Sequence, residues 1–93
     1  MEVKHEKLKL KNRFVLIEDK KEIGEMTYEF RRDNIMDINH TFIDEDYRGK
    51  DYGHKLVDAA VAFMRKNDIK AIPSCPYVKK VFDEHPKYSD VRL

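Results

Sequence analysis

The sequence has 93 residues and a net charge of +1, because 19 basic side chains nearly balance 18 acidic ones. This length predicts a single domain over residues 1–93, and the balanced charge argues against nucleic acid as a partner. One cysteine excludes an internal disulfide framework and a multi-cysteine zinc site. His5 and His85 have no partner at metal-ligand spacing, so we expect no metal site. Because there is no apolar run of membrane-span length and no signal peptide, we expect a soluble, cytoplasmic protein, about complete as written, with no membrane partner.

The first half of the chain predicts three strands joined by short polar turns. Residues 13–18 are a dense apolar run, and residues 23–30 alternate between apolar and polar side chains, which indicates a half-buried strand. Residues 35–43 follow, with Met36, Ile38, His40 and Phe42 expected on one side. Three consecutive strands with short turns predict an antiparallel meander.

In the second half of the chain, the spacing of apolar residues changes from that of a strand to that of a helix. Apolar residues recur at helical spacing after Gly53 and predict an amphipathic helix that ends near Asn67. Residues 69–74 are long enough for one more strand. Pro76 is suited to the first turn of a second helix, and Pro86 is expected to end that helix.

This element order predicts an α/β (α+β) fold. The connection from residues 35–43 through the first helix to residues 69–74 should make the two strands parallel. We expect a mixed, mostly antiparallel sheet with this parallel pair at its centre and two main helices covering it. Ligands tend to bind beyond the carboxyl ends of parallel strands, and those ends are Ile43 and Ser74-Cys75.

A loop with the composition of an anion site lies at the first of these ends. Gly49 and Gly53 allow close approach of the backbone, Arg48 and Lys50 add positive charge, and His54 opens the helix. The N-terminus of a helix also exposes unpaired N–H groups that favour anions. By spacing alone, an ordinary glycine-containing loop is an equally good interpretation.

The run Arg48-Gly49-Lys50-Asp51-Tyr52-Gly53 resembles the pyrophosphate loop of the GNAT acyltransferase superfamily, Gln/Arg-x-x-Gly-x-Gly/Ala. Together with the segments Pro73-Ser74-Cys75-Pro76-Tyr77-Val78 and His85-Pro86-Lys87-Tyr88-Ser89-Asp90, it resembles a short acetyl-CoA-binding subfamily, over about residues 13–93. The resemblance implies a minimal GNAT-like fold and transfer of an acetyl group from acetyl-CoA to an unknown small-molecule or protein amine, without a metal. The coenzyme-binding residues that it implies are Phe42, Ile43, Arg48, Gly49, Lys50, Asp51, Tyr52, Gly53, His54 and Tyr77.

Two residues are candidates for the chemistry. Cys75 directly precedes the second helix, whose N-terminus favours a thiolate, and the resemblance also points to Cys75 and His40 as catalytic. In one route Cys75 takes the acetyl group with His40 as its base. In the other, His40 deprotonates the amine for direct transfer and Cys75 lines the channel. As structural residues, Cys75 would be a small core side chain and His40 a core histidine.

Asp51 departs from the pattern, which has glycine at that position. A carboxylate there should repel a pyrophosphate, so we expect weaker coenzyme binding than in a relative with glycine. Two other functions stay open. The short chain favours a non-catalytic protein that binds acetyl-CoA or coenzyme A as a sensor or carrier, because larger relatives have extra elements that build an acceptor pocket. Asp51 favours an interaction domain that has lost the coenzyme.

Overall fold

The computed structural model describes residues 1–9 and 11–93. Across these residues the chain forms the strands β1 (Glu2–Lys7), β2 (Asn12–Glu18), β3 (Lys21–Arg32), β4 (Ile35–Ile43) and β5 (Lys70–Pro73). The α-helices are α1 (Tyr52–Asn67) and α2 (Pro76–Glu84), and short 3-10 turns cover Glu45–Tyr47 and Pro86–Tyr88.

The strands form one sheet in the order β1-β2-β3-β4-β5. Each neighbouring pair from β1 to β4 is antiparallel, and β4 pairs with β5 in parallel. The predicted meander, the parallel pair and the two helices are therefore confirmed. The parallel pair lies at the end of the strand order rather than in its middle, and the C-terminal tail extends the sheet there through a bridge between Ala71 and Arg92.

The strand β1 was not among the predicted elements. It is highly charged, and only Val3 and His5 turn toward the core side of the sheet, which is too short a pattern to identify a strand from sequence. The fold holds it in place through aromatic contact, since the rings of His5 and Phe14 stack with centroids 4.1 Å apart. His5 Nε2 also lies 2.5 Å from the hydroxyl oxygen of Tyr28.

A single hydrophobic core lies between the sheet and the two helices. The predicted apolar face of α1 is confirmed, and α2 contributes a second buried face; the helical core residues are Leu56, Val57, Ala60, Val61, Met64, Val78, Val81 and Phe82. Both helices lie on the same face of the sheet, since their buried side chains share this core. The hydroxyl of Tyr88, which follows α2, also donates to Asp58 of α1 at 2.5 Å.

The opposite face of the sheet, which we call the open face, is covered by polar side chains of the strands themselves. Arg13 donates to Glu6, Glu22 and Glu25 at 2.7 to 3.0 Å, and Val15 beside it is only 2% exposed. Within the part of the chain that the structure describes, both helices pack on the other face.

Candidate functional site

The strands β4 and β5 separate halfway along β4. Their pairing runs from Ile35 opposite Lys70 to Ile38 opposite Pro73, and the Cys75 amide then donates to the Ile38 carbonyl at 2.9 Å. In the described residues, β4 beyond that point pairs only with β3. An unpaired backbone edge therefore borders the gap between β4 and the start of α2.

A β-bulge in β4 decides which side chains face this gap. Ile38 is opposite Tyr28 and His40 is opposite Thr27, so Asn39 is an extra residue in β4. The bulge reverses the alternation, because two successive residues of β4 now oppose the same stretch of β3.

The expectation that His40 and Phe42 share a face with Met36 and Ile38 is therefore wrong. Met36 and Ile38 are buried in the core, whereas His40 and Phe42 are exposed. Thr41, opposite the buried Met26, faces the core side instead.

Hydrogen bonds hold the loop after β4 against the ends of the neighbouring strands. The Asp44 amide donates to the Ile23 carbonyl at 2.7 Å, and Arg48 Nε donates to the Ile43 carbonyl at 2.8 Å. The Arg48 guanidinium also lies over the Phe42 ring, 5.5 Å from its centroid. These contacts bring the predicted basic residue of the loop to the unpaired edge of β4.

Asp51 is the N-cap of α1 and has a left-handed backbone, with φ of 59°. Aspartate tolerates this conformation better than most residues, so the turn forms at a position where the family pattern has glycine. Its side chain makes no capping hydrogen bond to the helix. The carboxylate therefore does not cap the first turn of α1.

The first turns of the two helices meet at Gly53 and Tyr77. A Cβ at residue 53 would lie 2.6 Å from the Tyr77 hydroxyl oxygen, so only glycine leaves room for this ring. Burial raises the pKa of Tyr77, and the nearby acidic groups of Asp51 and Cys75 raise it further. The Tyr77 hydroxyl therefore keeps its proton at neutral pH.

These elements enclose a cavity of about 360 Å³. Eight of the ten residues that the sequence predicted as coenzyme-binding line it, and Lys50 and His54 do not. Its full lining is Thr41, Phe42, Ile43, Tyr47, Arg48, Gly49, Asp51, Tyr52, Gly53 and Tyr77.

Sequence reasoning missed two lining residues. Thr41 could not be identified because nothing in the residue pattern marks the bulge that turns it inward. Tyr47 carried a usable signal, since it is an aromatic residue in an otherwise polar loop; its ring lies 6.2 Å from that of Tyr52.

Cys75 is 5% exposed and is the N-cap of α2, without a side-chain capping bond. Its thiol donates to Thr41 Oγ1 at 3.5 Å. His40 projects to the open face, where it lines a groove of about 670 Å³ together with Asn39 and Thr27. The hydrogen bonds of the described residues therefore join Cys75 to Thr41 and not to His40.

His54, the remaining predicted residue, lies at the junction of the two helices, outside the cavity. Its ring is 5.1 Å from that of His85 and nearly perpendicular to it. Among residues 1–9 and 11–93 there is no group of three or more His, Cys, Asp or Glu side chains arranged to hold a metal ion. No helix in those ranges is long and apolar enough to cross a membrane.

Comparison with known families gives the same assignment as the loop and the fold. Residues 13–91 match the family of GCN5-related N-acetyl-transferases. The chain belongs to this family. The protein NATD1 from Danio rerio is 35% identical over 65 residues, which are 68% of this chain and 59% of that protein. The chain thus spans well under two thirds of the length of that relative.

Solved structures extend the likeness to the whole fold. The NMR structure of a GCN5-like protein from Staphylococcus aureus matches 99% of this chain and 87% of its own, with a TM-score of 0.78 and 31% identity. An aminoglycoside N-acetyltransferase, AAC(6')-Iy in complex with CoA, matches 80% of this chain and 65% of its own, with a TM-score of 0.59. At 15% identity, this second likeness concerns the fold alone.

Proposed function

We propose that this protein binds acetyl-CoA in the cavity beside the unpaired edge of β4 and transfers the acetyl group to an amine. The observation that carries the proposal is that one cavity is lined by eight of the ten residues for which the family resemblance implies coenzyme binding. The family membership supports an acetyltransferase-like domain.

The cavity has a suitable group for each part of the coenzyme. An extended pantetheine arm can pair with the free backbone edge of β4, as an added strand does at any exposed sheet edge. The first N–H groups of α1 face the place where a pyrophosphate would lie. Arg48 and Gly49 line the same end, and Lys50 in the same loop adds positive charge nearby.

For the transfer we favour direct attack of the amine on the thioester. The amine nitrogen bonds to the acetyl carbonyl carbon, the carbon–sulfur bond breaks, and the coenzyme thiolate leaves. His40 on the open face accepts the proton that the amine loses. Tyr77 lines the same cavity and is protonated at neutral pH, so its hydroxyl can donate a proton to the thiolate.

The alternative route passes through Cys75. In that case the Cys75 sulfur attacks the carbonyl carbon, the carbon–sulfur bond of acetyl-CoA breaks, and the thiol proton passes to the leaving coenzyme. The amine then attacks the carbonyl carbon of acetyl-Cys75, and the Cys75 sulfur leaves with the proton that the amine loses. The position of Cys75 at the N-terminus of α2 and its contact with the cavity residue Thr41 favour this route. The open-face position of His40 favours direct transfer, because in the described residues no hydrogen bond joins His40 to Cys75.

A non-catalytic coenzyme-binding protein is the second candidate function, and Asp51 is the observation that favours it. Its carboxylate lines the cavity where the pyrophosphate would lie and opposes the charge of the ligand. Weak binding suits a sensor that responds to a change in acetyl-CoA concentration. An interaction domain without coenzyme would bind no acetyl-CoA at all.

A titration of isotope-labelled protein with acetyl-CoA, followed by backbone amide NMR, tests the proposal. We expect saturable shifts at Ile43 and across residues 48–54. Arg48→Gln should weaken them, and Lys66→Gln, a basic residue at the far end of α1, should not. The absence of shifts at millimolar acetyl-CoA would overturn the proposal and leave the interaction domain.

A further inference from the structure

A buried carboxylate lies on the open face next to the point where β4 and β5 separate. Asp37 is 3% exposed and is the one polar or charged residue among the buried side chains of the described chain. It is followed by Ile38, the last residue of β4 to pair with β5, and Ser74 contacts it from the end of β5. The carboxylate therefore borders the same gap as Cys75, from the opposite side of the sheet.

The partner of this carboxylate is Arg31, whose side chain lies on the surface. Arg31 donates to Asp37 Oδ2 from Nε at 3.1 Å and from Nη2 at 2.6 Å. Its side chain is 59% exposed, whereas that of Asp37 is 4% exposed. The guanidinium stays in water and gains little from the pair, whereas the buried carboxylate depends on having a cation beside it.

In the described residues the second oxygen of the carboxylate has no partner with hydrogen-bond geometry, although the Ser74 hydroxyl and amide lie close enough to lower the pKa of Asp37. Asp37 Oδ1 is buried, and in the described part of the chain no donor is placed to form a hydrogen bond with it. Burial by itself raises the pKa of Asp37, but Ser74 and Arg31 together hold it below the ordinary value, so the group is ionised. A buried, ionised carboxylate with one free oxygen is a costly arrangement that a two-pronged donor would satisfy.

We propose that Asp37 is a guanidinium site for the acceptor, separate from the place of the reacting amine, and that Arg31 occupies it until the acceptor arrives. The proposal rests on the proposed acetyl transfer and names its substrate class: an amine that also carries a guanidinium. The acceptor would lie along the open-face groove, which His40 lines and which also includes Glu29, the residue opposite Asp37.

The geometry of the Arg31–Asp37 pair suggests that a guanidinium of the acceptor can displace Arg31. Arg31 uses only one oxygen of Asp37, whereas a free guanidinium can bond both oxygens in the bidentate geometry that carboxylates prefer. The exposed Arg31 side chain can swing into water at little cost. Acceptors that carry no second cation would leave Asp37 and Arg31 as they are.

The test uses agmatine, which has a guanidinium and a primary amine, and n-pentylamine, which has the amine alone. Each is titrated into labelled protein without acetyl-CoA. Agmatine is expected to give saturable amide shifts at Asp37, Ile38 and Ser74, and n-pentylamine is expected to give none there. The readout is binding, so it does not depend on whether the protein binds acetyl-CoA or transfers the acetyl group.

Variants make the outcome decisive. Asp37→Asn should weaken agmatine binding by about tenfold or more, because a hydrogen bond to a charged group is lost. Arg31→Lys, which cannot form the two-pronged contact, should bind agmatine more tightly, and Arg32→Gln on the adjacent residue should bind it as the wild type does. If Asp37→Asn does not fold, the comparison of Arg31→Lys with Arg32→Gln decides.

Two results would overturn the guanidinium site: equal shifts from both amines, or agmatine affinity unchanged in the Asp37 and Arg31 variants. Agmatine binding at Asp37 in a protein that shows no shifts with acetyl-CoA would retain this site and reject the acetyltransferase. Acetyl-CoA binding without agmatine binding at Asp37 would reject the guanidinium site and retain the proposal that the cavity binds acetyl-CoA.

Discussion

The hydroxyl oxygen of Tyr77 on α2 fills the space that a side chain on Gly53 of α1 would need, at 2.6 Å from the position of its Cβ. The contact joins the first turns of both helices and forms one wall of the cavity. The pyrophosphate-loop pattern allows glycine or alanine at position 53, and the packing of the two helices favours glycine there in this chain.

Gly53→Ala should displace the Tyr77 ring and weaken acetyl-CoA binding while the fold is retained. The hydroxyl is the far end of a side chain and can move, and alanine is favoured over glycine in a helix by about 1 kcal/mol, which offsets the strain. The measurements are the Tyr77 ring resonances, the affinity for acetyl-CoA and the free energy of unfolding.

Gly49→Ala is the matched control for this prediction. Its Cβ would meet nothing within 4 Å, but its φ of 79° strains any side chain. The control should lose about 1 kcal/mol of stability and leave the Tyr77 resonances in place. Unmoved Tyr77 resonances in Gly53→Ala would show that the contact does not control the ring.

Asp51→Gly should increase both stability and coenzyme affinity. Glycine adopts the left-handed backbone without strain, a gain of up to about 1 kcal/mol, and removal of the carboxylate near a pyrophosphate should be worth about 1 kcal/mol, roughly fivefold in Kd. Asp51→Asn removes the charge and keeps a residue that tolerates φ of 59°. This variant should raise the affinity for acetyl-CoA and leave the stability of the fold unchanged.

Asp68 provides the control at the other end of α1. It is the C-cap and has the same φ of 59°, but it does not line the cavity. Asp68→Gly should gain stability and leave the Kd for acetyl-CoA unchanged. Unaltered affinity in both Asp51 variants would show that charge repulsion does not weaken the coenzyme site.

The stability of the fold should fall as the pH drops below about 6.5, because of His5. Burial lowers the pKa of His5 below the model-peptide value of 6.5, and the positive charge of Lys7 lowers it further. The unfolded chain therefore binds a proton in a pH range where the folded chain does not. Stability is fully present above 6.5 and is lost as the pH falls toward the lower pKa of the folded state.

His5→Phe should flatten this part of the pH profile while it keeps the ring stack on Phe14. Urea unfolding at a series of pH values between 5 and 8 measures how the free energy of unfolding depends on pH. Lys4→Gln is the control, since that residue is on the same strand but directed toward the open face. An equal loss of stability with acid in His5→Phe would mean that another group is responsible.

Cys75→Ala should keep acetyl-CoA binding and turnover with an amine, whereas His40→Gln should keep binding and lose most of the turnover. General-base assistance is worth about a hundredfold or more, so the difference is large. Release of coenzyme A in the presence of amines measures turnover, and mass spectrometry detects acetylated protein. Abolished turnover in Cys75→Ala, with acetyl-Cys75 in the wild type, would establish the covalent route instead.

The sequence by itself determined the meander, the strand–helix–strand crossover and the two amphipathic helices, because each depends on periodicity within one segment. It also determined most of the cavity lining, since the residues from Arg48 to Gly53 are contiguous and follow a recognisable pattern. The strand β1 escaped sequence reasoning, because this charged hexapeptide is held by pairing with β2 and by contacts of His5 with Phe14 and Tyr28, which are distant in sequence.

Only the tertiary structure decided which side of the sheet each candidate faces. Alternation places His40 with the core residues, and one extra residue, Asn39, reverses that assignment because the side-chain period in a strand is two. The same bulge turns Thr41 toward Cys75. The burial of Asp37 beneath Arg31 likewise depends on strand register, which a pairing between distant segments sets and local sequence does not.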